Sequence, residues 1–581
     1  MRSICFSLAI LFHTALAHAY TYSVTDRGTP VRWGYGQKIM LAGNPSNTGN
    51  YPQDLFRKGL VKGLQLWKQA TGGALDFDYW QGTDPEKYPA QLASDGLGTV
   101  FFASHSSAST DPNVISYTQV WFNSTNGNII ETDTLLNDRN FEFTPRPADT
   151  TSANPGMRPK VFLDSILTHE LGHAIGLGHS GDINASMLFV EAKEQFRTGC
   201  DDAAGARHVY GQMKTQSTGQ GSESSLEFGS LGGWILGPTS APIGGAQVIA
   251  ISKSTGIPEA HVLTDRSGRF HFGSLEPDSY ALAIKPYPGS ADSIPPEYQP
   301  FNRKACSGAD YPLQFVTAKD EHTLIEWNVR SREHLDAGAV AVHCNPVSAS
   351  GGTSADELAP SMFVDTGPSG RPITYSTAVN GEFQITTLTQ LLLSPIRVQV
   401  EVFDSAGRRL PIQTISPIYE SESGFKISEV RIRGRAQGRI QVRVTPSPAS
   451  DPLVSSRALA PNPFPFFALS FHSGFTNDSA RCLAPESFPE YLSPPGDPIR
   501  FAGSNSARER IGFCGTPVAN ASELRGGLVA PSHRGGRVGT RLEVILGWFW
   551  PFGLILAFQL NSRRRRAKLS SSCRSAPFHF R

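Results

Sequence analysis

The stretch Thr168-His169-Glu170-Leu171-Gly172-His173-Ala174-Ile175-Gly176-Leu177-Gly178-His179-Ser180 constrains its surroundings more than any other part of the chain. His169 and His173 stand four positions apart, so a helix places both imidazoles on one face, where they can ligate one metal ion. Glu170 projects to the side of that face, within reach of a metal-bound water but outside the coordination positions. Gly176 can adopt a positive φ, which ends the helix and turns the chain. His179 then returns as a third ligand. Three neutral imidazoles leave one position of a tetrahedral zinc open, the pattern of catalytic rather than structural sites. Zinc held there would lower the pKa of a bound water to about 7 and polarise a carbonyl. Glu170 would take the water proton and return it to a leaving amine. A bare H-E-x-x-H can arise by chance on a surface helix, but the added glycine and third histidine at fixed offsets argue against chance. Val161, Phe162, Ile166, Leu167, Leu171, Ala174 and Ile175 give this helix an apolar side to bury.

The chain has 581 residues, which at roughly 150 residues per domain predicts about four units. Its 52 basic and 51 acidic residues nearly cancel, which excludes a globally basic nucleic-acid binder and an acidic solvating chain. With 56 glycines, 42 prolines and only 18% charged residues, β-rich modules and linkers are expected rather than a helical bundle.

Residues 20–211 mix helical and extended signals, as an α+β or α/β domain does. Leu60, Leu64 and Trp67 give helical spacing over Leu55–Ala70, with further helices over Val161–Ile175 and from about Asp201. Extended stretches fall at Leu75–Tyr79, Gly98–Ala103, Thr118–Phe122 and Asn128–Asp133. Gln212–Ser230, rich in Gly, Ser, Gln and Thr, reads as a linker. Residues 231–332 alternate in short strands such as Gln247–Ile251, Arg269–Phe272 and Tyr280–Ile284, which predicts a β-sandwich. A Ser/Gly stretch, Val347–Ser354, leads to 355–446, a candidate second sandwich with alternation at Ile396–Val402 and Ile440–Val444. Arg431, Arg433 and Arg435 read as a solvated strand face, and His208 as a surface or capping histidine. The Pro/Ser/Gly-rich 447–541 reads as a stalk or disordered region.

Both ends carry address signals. Arg2, the apolar Ile4–Leu16 and Ala17-His18-Ala19 form a secretory signal peptide, 1–19, cut before Tyr20. Val544–Leu560, apolar apart from Gln559, lies at the short edge of the ~17–25 residues that cross a bilayer. Residues 542–560 are therefore expected to be a transmembrane segment. Arg563–Arg566 make 561–581 a basic cytoplasmic tail. Of seven cysteines, Cys5 leaves with the signal and Cys573 lies in the tail. Cys306 with Cys344, and Cys482 with Cys514, are candidate disulfide pairs by proximity in an oxidising compartment. Cys200 is either a buried thiol or a disulfide partner.

With Met187 eight residues beyond His179, the motif resembles the metzincin metalloproteases, in which a methionine turn lies beneath the metal. Ser180 after the third histidine and the spacing of Met187 resemble the matrixins among them. Asp201-Asp202-Ala203-Ala204-Gly205 through Val209-Tyr210-Gly211 is similar to the matrixin closing helix. Trp67 and Ile130-Glu131-Thr132-Asp133 before Asn137 fit as well. The resemblance covers 20–211, about a third of the chain. It implies an α+β catalytic domain, a twisted mixed sheet with helices, holding one zinc ion on His169, His173 and His179. It also implies Glu170 as the catalytic residue, Met187 as support from below, and Asp201 with Asp202 tying the closing helix to the site floor. Protein or peptide substrates would bind extended along an edge strand.

Three departures stand out. Phe189 occupies the place of the usual matrixin proline, which alters the primary specificity pocket. No cysteine between the signal and His169 can supply cysteine-switch latency. His105 is the one other histidine of 20–211 upstream of the motif, too few for a second histidine-rich zinc site. Calcium sites are not readable here.

Pro242–Val248, Thr264–Phe270 and Leu275–Tyr280 resemble the carboxypeptidase regulatory-like, transthyretin-like sandwich, a spacer or stability module. The whole predicts a multidomain, extracellular, membrane-anchored zinc endopeptidase whose partners include no nucleic acid. A reading from another class is a surface adhesion protein with a vestigial metal domain, which zinc stoichiometry and peptide turnover would separate.

Overall fold

A computed structural model describes residues 20–211, 228–344, 371–448 and 467–474, apart from short internal stretches such as 44–50, 82–89, 151–156 and 190–194. Strand backbone is also described at 356–357, 362–365, 419–420, 426–427, 499–500, 543–544 and 573–580. The chain is mostly β-sheet, with three α-helices among the described residues.

The first sheet is built from β1 (Lys38–Gly43), β2 (Asp76–Gln81), β3 (Gly98–Phe102), β4 (Ser116–Asn123) and β5 (Ile129–Leu136). Their spatial order is β2-β1-β3-β5-β4. The pairs β1–β2, β1–β3 and β3–β5 are parallel, and β4 joins β5 antiparallel. All but β1 have a counterpart among the extended stretches read from the sequence. Helix α1 spans Gln53–Ala70, α2 Leu163–Ala174 and α3 Cys200–Tyr210. Phe56, Leu60, Leu64 and Trp67 recur along one side of α1 and are fully buried. Each such burial stabilises the fold by about 1.5–3 kcal/mol. They share one core with Leu163, Ile166, Leu167 and Leu171 of α2. The helices come close because Gly63 has no side chain: a Cβ there would lie 2.6 Å from Leu171 Cδ1.

Helix ends leave carbonyls without intrahelical partners. In α2 these are taken by aromatic donors from elsewhere in the domain. Trp33 Nε1 donates to Ala174 O at 2.8 Å, and Tyr210 Oη to Ile175 O at 2.6 Å. Farther back, Trp67 Nε1 donates to Thr168 O at 2.8 Å. Glu131 and Asp133 of β5 spend their carboxylates on the 93–99 loop, accepting the N–H groups of Asp95, Gly96, Ala93 and Thr99.

Two further sheets share a second core. One orders strands 258–263, 246–252, 278–286 and 314–315, with 326–329 also on 278–286; the other orders 269–275, 229–236 and 334–341. Leu231, Ile235, Val248, Val262, Phe270, Phe272, Leu282 and Ile284 fill the space between them. This is a two-sheet sandwich. Its first strand begins at Gly229, inside the stretch expected to be linker. Cys306 and Cys344 are joined by a disulfide with Cα atoms 5.4 Å apart. Cys200 is also disulfide-bonded, while Cys482 and Cys514 lie outside the described residues.

The 355–446 region contributes a sheet ordered 362–365, 467–473, 373–388, 431–448 and 396–404, with 356–357 and 412–414 beside it, and a separate two-stranded pair of 419–420 with 426–427. The expected stalk therefore supplies a core strand, because Phe467, Leu469 and Phe471 alternate inward and are buried. Arg431 is not on a solvated face: it is buried and donates from Nη2 to Thr255 O at 2.9 Å.

The sandwich and the first domain are joined by a buried seam. Ile183, Leu188 and Phe189 share an apolar cluster with Ile249, Ile251, Tyr287 and Ile294. His208 sits in this seam, not at the surface, with its ring 5.7 Å from that of Tyr22 and 5.9 Å from that of His271. Contact is tight enough that a Cβ on Gly273 would fall 1.6 Å from His208 Nδ1, and one on Gly181 would fall 2.6 Å from Gln247 Nε2.

No helix among the described residues is long and apolar enough to cross a membrane; residues 1–19 and 545–560 lie outside them. The strand Cys573–Phe580 pairs antiparallel with β4 along its full length.

Glu259 offers a check on the sandwich. Burial lifts its pKa to about 7, against hydrogen bonds from Tyr280 Oη and Glu276 N. A carboxyl whose pKa is raised on folding stabilises the fold below its unfolded value and loses that contribution as pH rises through about 7. Glu259→Gln keeps the acceptor without the charge. Its free energy of unfolding by urea titration is expected to match wild type near pH 4 and exceed it at pH 8, by on the order of 1–3 kcal/mol.

Candidate metal centre

Helix α2 carries His169, Glu170 and His173, all fully buried. Gly176 turns the chain at φ +91°, and a Cβ there would meet Val31 O at 2.1 Å, so both conformation and space demand glycine. The reversal brings back His179. The ligand atoms of His169, His173 and His179 lie within 4.8 Å of one another. Each ring is fixed from its far side: His169 Nδ1 meets Ser186 O at 2.6 Å, His173 Nδ1 meets Leu177 O at 2.8 Å, and His179 Nδ1 meets Ser293 O at 2.6 Å. A carbonyl only accepts, so each Nδ1 bears the hydrogen and each Nε2 is left as the lone-pair donor. Burial and the neighbouring His179 push the pKa of His169 well below its usual value, which keeps it neutral. Three imidazoles turned to a common point are the donor set that zinc takes in catalytic sites.

Met187 lies beneath the helix. A Cβ on Gly172 would meet its Sδ at 2.1 Å. The turn bearing Met187 hangs from Asp202, whose carboxylate accepts N–H groups from Ser186 at 2.6 Å, Met187 at 3.1 Å and Gly199 at 2.6 Å. Asp201 accepts Ser180 Oγ at 2.6 Å and, across the seam, His261 N at 2.6 Å. Ser180 N closes the loop on Met187 O at 2.6 Å. Thr21 Oγ1 donates to His179 O at 2.5 Å, and Gly178 N to Thr21 O at 2.6 Å, so the chain segment after Ala19 is part of the site's frame.

Glu170 turns toward β4. Ser116 Oγ donates to its Oε1 and Thr118 Oγ1 to its Oε2, each at 2.6 Å. Burial raises its pKa to about 8, and the two hydroxyl bonds oppose that rise. Sequence reasoning missed Ser116 and Thr118. Two apart on a strand, they share a face, but only the fold puts that face against Glu170. Phe189 packs its ring 5.4 Å from that of Tyr287 in the sandwich. Cys306 and Cys344 lie in the sandwich and take no part in the site.

The matrixin family model matches residues 102–211, which include every residue of the histidine motif, Met187 and the Asp201–Asp202 pair. The match supports a zinc metalloprotease-type domain. No curated protein matches the chain. Among solved structures, BcpA, the major pilin subunit of Bacillus cereus, is similar at 12% identity over 38% of this chain and 58% of its own, with a TM-score of 0.11. The major pilin SpaD of Corynebacterium diphtheriae covers 38% of this chain and 56% of its own at 10% identity and a TM-score of 0.13. The Bacillus anthracis TIE protein covers 43% and 32% at 12% identity and a TM-score of 0.13. The chain thus spans less than two thirds of each of these structures, and likenesses this low carry no argument.

Asp202→Ala is expected to strip three buried N–H groups of their acceptor and cost on the order of 3 kcal/mol in denaturant unfolding. Because Ser186 also supplies the acceptor for His169, zinc affinity measured by chelator competition is expected to fall with it.

Proposed function

We propose that this chain is an exported zinc-dependent endopeptidase of matrixin type, in which His169, His173 and His179 hold the metal and Glu170 is the catalytic base and acid. The observation that carries the reading is the convergence of three buried, Nδ1-protonated histidines beside a buried carboxyl group. Zinc, when bound, supplies Lewis-acid activation of water and of the scissile carbonyl. The protein's own share is positioning and proton transfer. Ser116 and Thr118 hold the two oxygens of Glu170, and burial of this carboxyl raises its pKa, which favours its taking up a proton. Met187 and the Asp202-braced turn keep the floor rigid. The signal-like 1–19 accounts for export, and the Cys306–Cys344 disulfide suits an oxidising compartment.

The substrate would lie extended along β4, whose outer side is paired with Cys573–Phe580, so an incoming peptide would take the place of this strand. The pairing also favours a chain whose two ends stay on the same side of any membrane. We therefore read 544–560 as a segment outside the working enzyme rather than its permanent anchor. The 231–332 sandwich is read as the carboxypeptidase regulatory-like module.

The test uses the full secreted chain and Glu170→Gln. Both are expected to bind one zinc ion by elemental analysis. Only the native chain should cleave an unfolded protein, in a chelator-sensitive way, with turnover in the variant down by about 100- to 10,000-fold. A native chain that folds, binds no zinc and cleaves nothing would refute the enzyme reading. Removing 573–581 is expected to raise kcat/KM on long unfolded substrates, and unchanged turnover would remove the strand from the mechanism.

A further inference from the structure

His169 and His173 draw their fixing carbonyls from the catalytic domain itself, Ser186 and Leu177. The third ligand does not. His179 Nδ1 donates to the main-chain carbonyl of Ser293, a residue of the sandwich 114 positions farther along the chain. An imidazole joined to its backbone by two rotatable bonds needs such an acceptor to fix both its tautomer and its ring plane. We infer that the sandwich is a working part of the metal centre, with the Ser293 carbonyl as the positioning group for His179 and Tyr287, Ile294 and Tyr298 as the anchors that hold this carbonyl in place. The inference rests on the metal-centre reading above and extends it to a second domain.

The anchoring is visible on the far side of Ser293. Ile294, Tyr287 and Tyr298 are 5%, 0% and 3% exposed and belong to the apolar cluster that includes Ile183, Leu188 and Phe189 of the turn around Met187. Ser293 Oγ donates to Tyr287 Oη at 3.3 Å. Tyr298 Oη donates to Tyr20 O at 3.0 Å, next to Thr21, which itself holds His179 O. The same contacts that bury the seam therefore fix the third ligand from two directions, through its ring and through its backbone. Such partners of a ligating histidine typically change metal affinity by about 10- to 100-fold when lost.

The experiment compares Ile294→Ala and Tyr287→Ala with Ile284→Ala in the full chain. Ile284 is equally buried, but in the sandwich's own core away from the turn. Zinc affinity is read by competition with a chromophoric chelator, and ligand geometry by the visible spectrum of the cobalt-substituted protein. Ile294→Ala and Tyr287→Ala are expected to weaken zinc binding about 10- to 100-fold and to shift the cobalt bands. Ile284→Ala should leave both unchanged. Wild-type affinity in both seam variants, or equal weakening in Ile284→Ala, would overturn the inference. Should the alanine variants fail to fold, isotope-labelled histidine in the metal-free native chain decides the matter. A His179 Nδ1–H resonance with a cross-relaxation contact to Ser293 or Ile294 is expected, and its absence from a folded protein overturns the proposal. A native chain that folds without binding zinc refutes the metal-centre reading itself, a distinct result.

Discussion

A histidine can present Nε2 to a metal only if Nδ1 has somewhere to place its hydrogen, and this requirement organises the first domain of the molecule. Three acceptors are needed in three directions, and three different devices supply them. A tight reversal at Gly176 offers Leu177 O, the turn suspended from Asp202 offers Ser186 O, and a strand-to-loop segment of the neighbouring sandwich offers Ser293 O. The helix that carries the first two ligands is in turn fixed by indole and phenol donors that occupy its terminal carbonyls. Removing any one of these supports frees a ring that the others do not reach.

The charged groups under the site follow the same logic of satisfaction rather than attraction. Asp201 and Asp202 are buried, and their oxygens are filled by N–H and O–H donors rather than by cations. Burial drives both pKa values upward, while the N–H donors pull the other way. The seam adds His261 and Lys285, each with a pKa lowered by burial. A boundary that contains so many desolvated groups forms correctly or not at all, because a shifted register would leave donors and carboxylates facing apolar side chains.

Much of this was legible beforehand where the pattern is local. The helical spacing of Leu60, Leu64 and Trp67, the i, i+4 pair His169 and His173, and the turn at Gly176 need only a few neighbouring residues to be understood. The strand alternation of 246–252 and 278–286 is equally local. What escaped depends on contacts between distant segments. Ser116 and Thr118 look like ordinary strand residues until the sheet is assembled against α2. Arg431 resembles any arginine in an alternating run until Thr255 is placed beside it. Phe467, Leu469 and Phe471 did carry a period of two, but a proline-rich neighbourhood obscured it. Ser293 had no signal at all, since its role belongs to its main chain.

The tightness of the seam bears on how such a protein can change over generations. Gly181 and Gly273 leave no room for a β-carbon against Gln247 and His208, and His261 is matched to Asp201 through its main-chain N–H. A domain of this kind is not a bead that recombination can exchange for another of similar outline. Drift on one face must be answered on the other, so the two domains are expected to share a single lineage, with their facing residues changing together and their outer surfaces diverging freely.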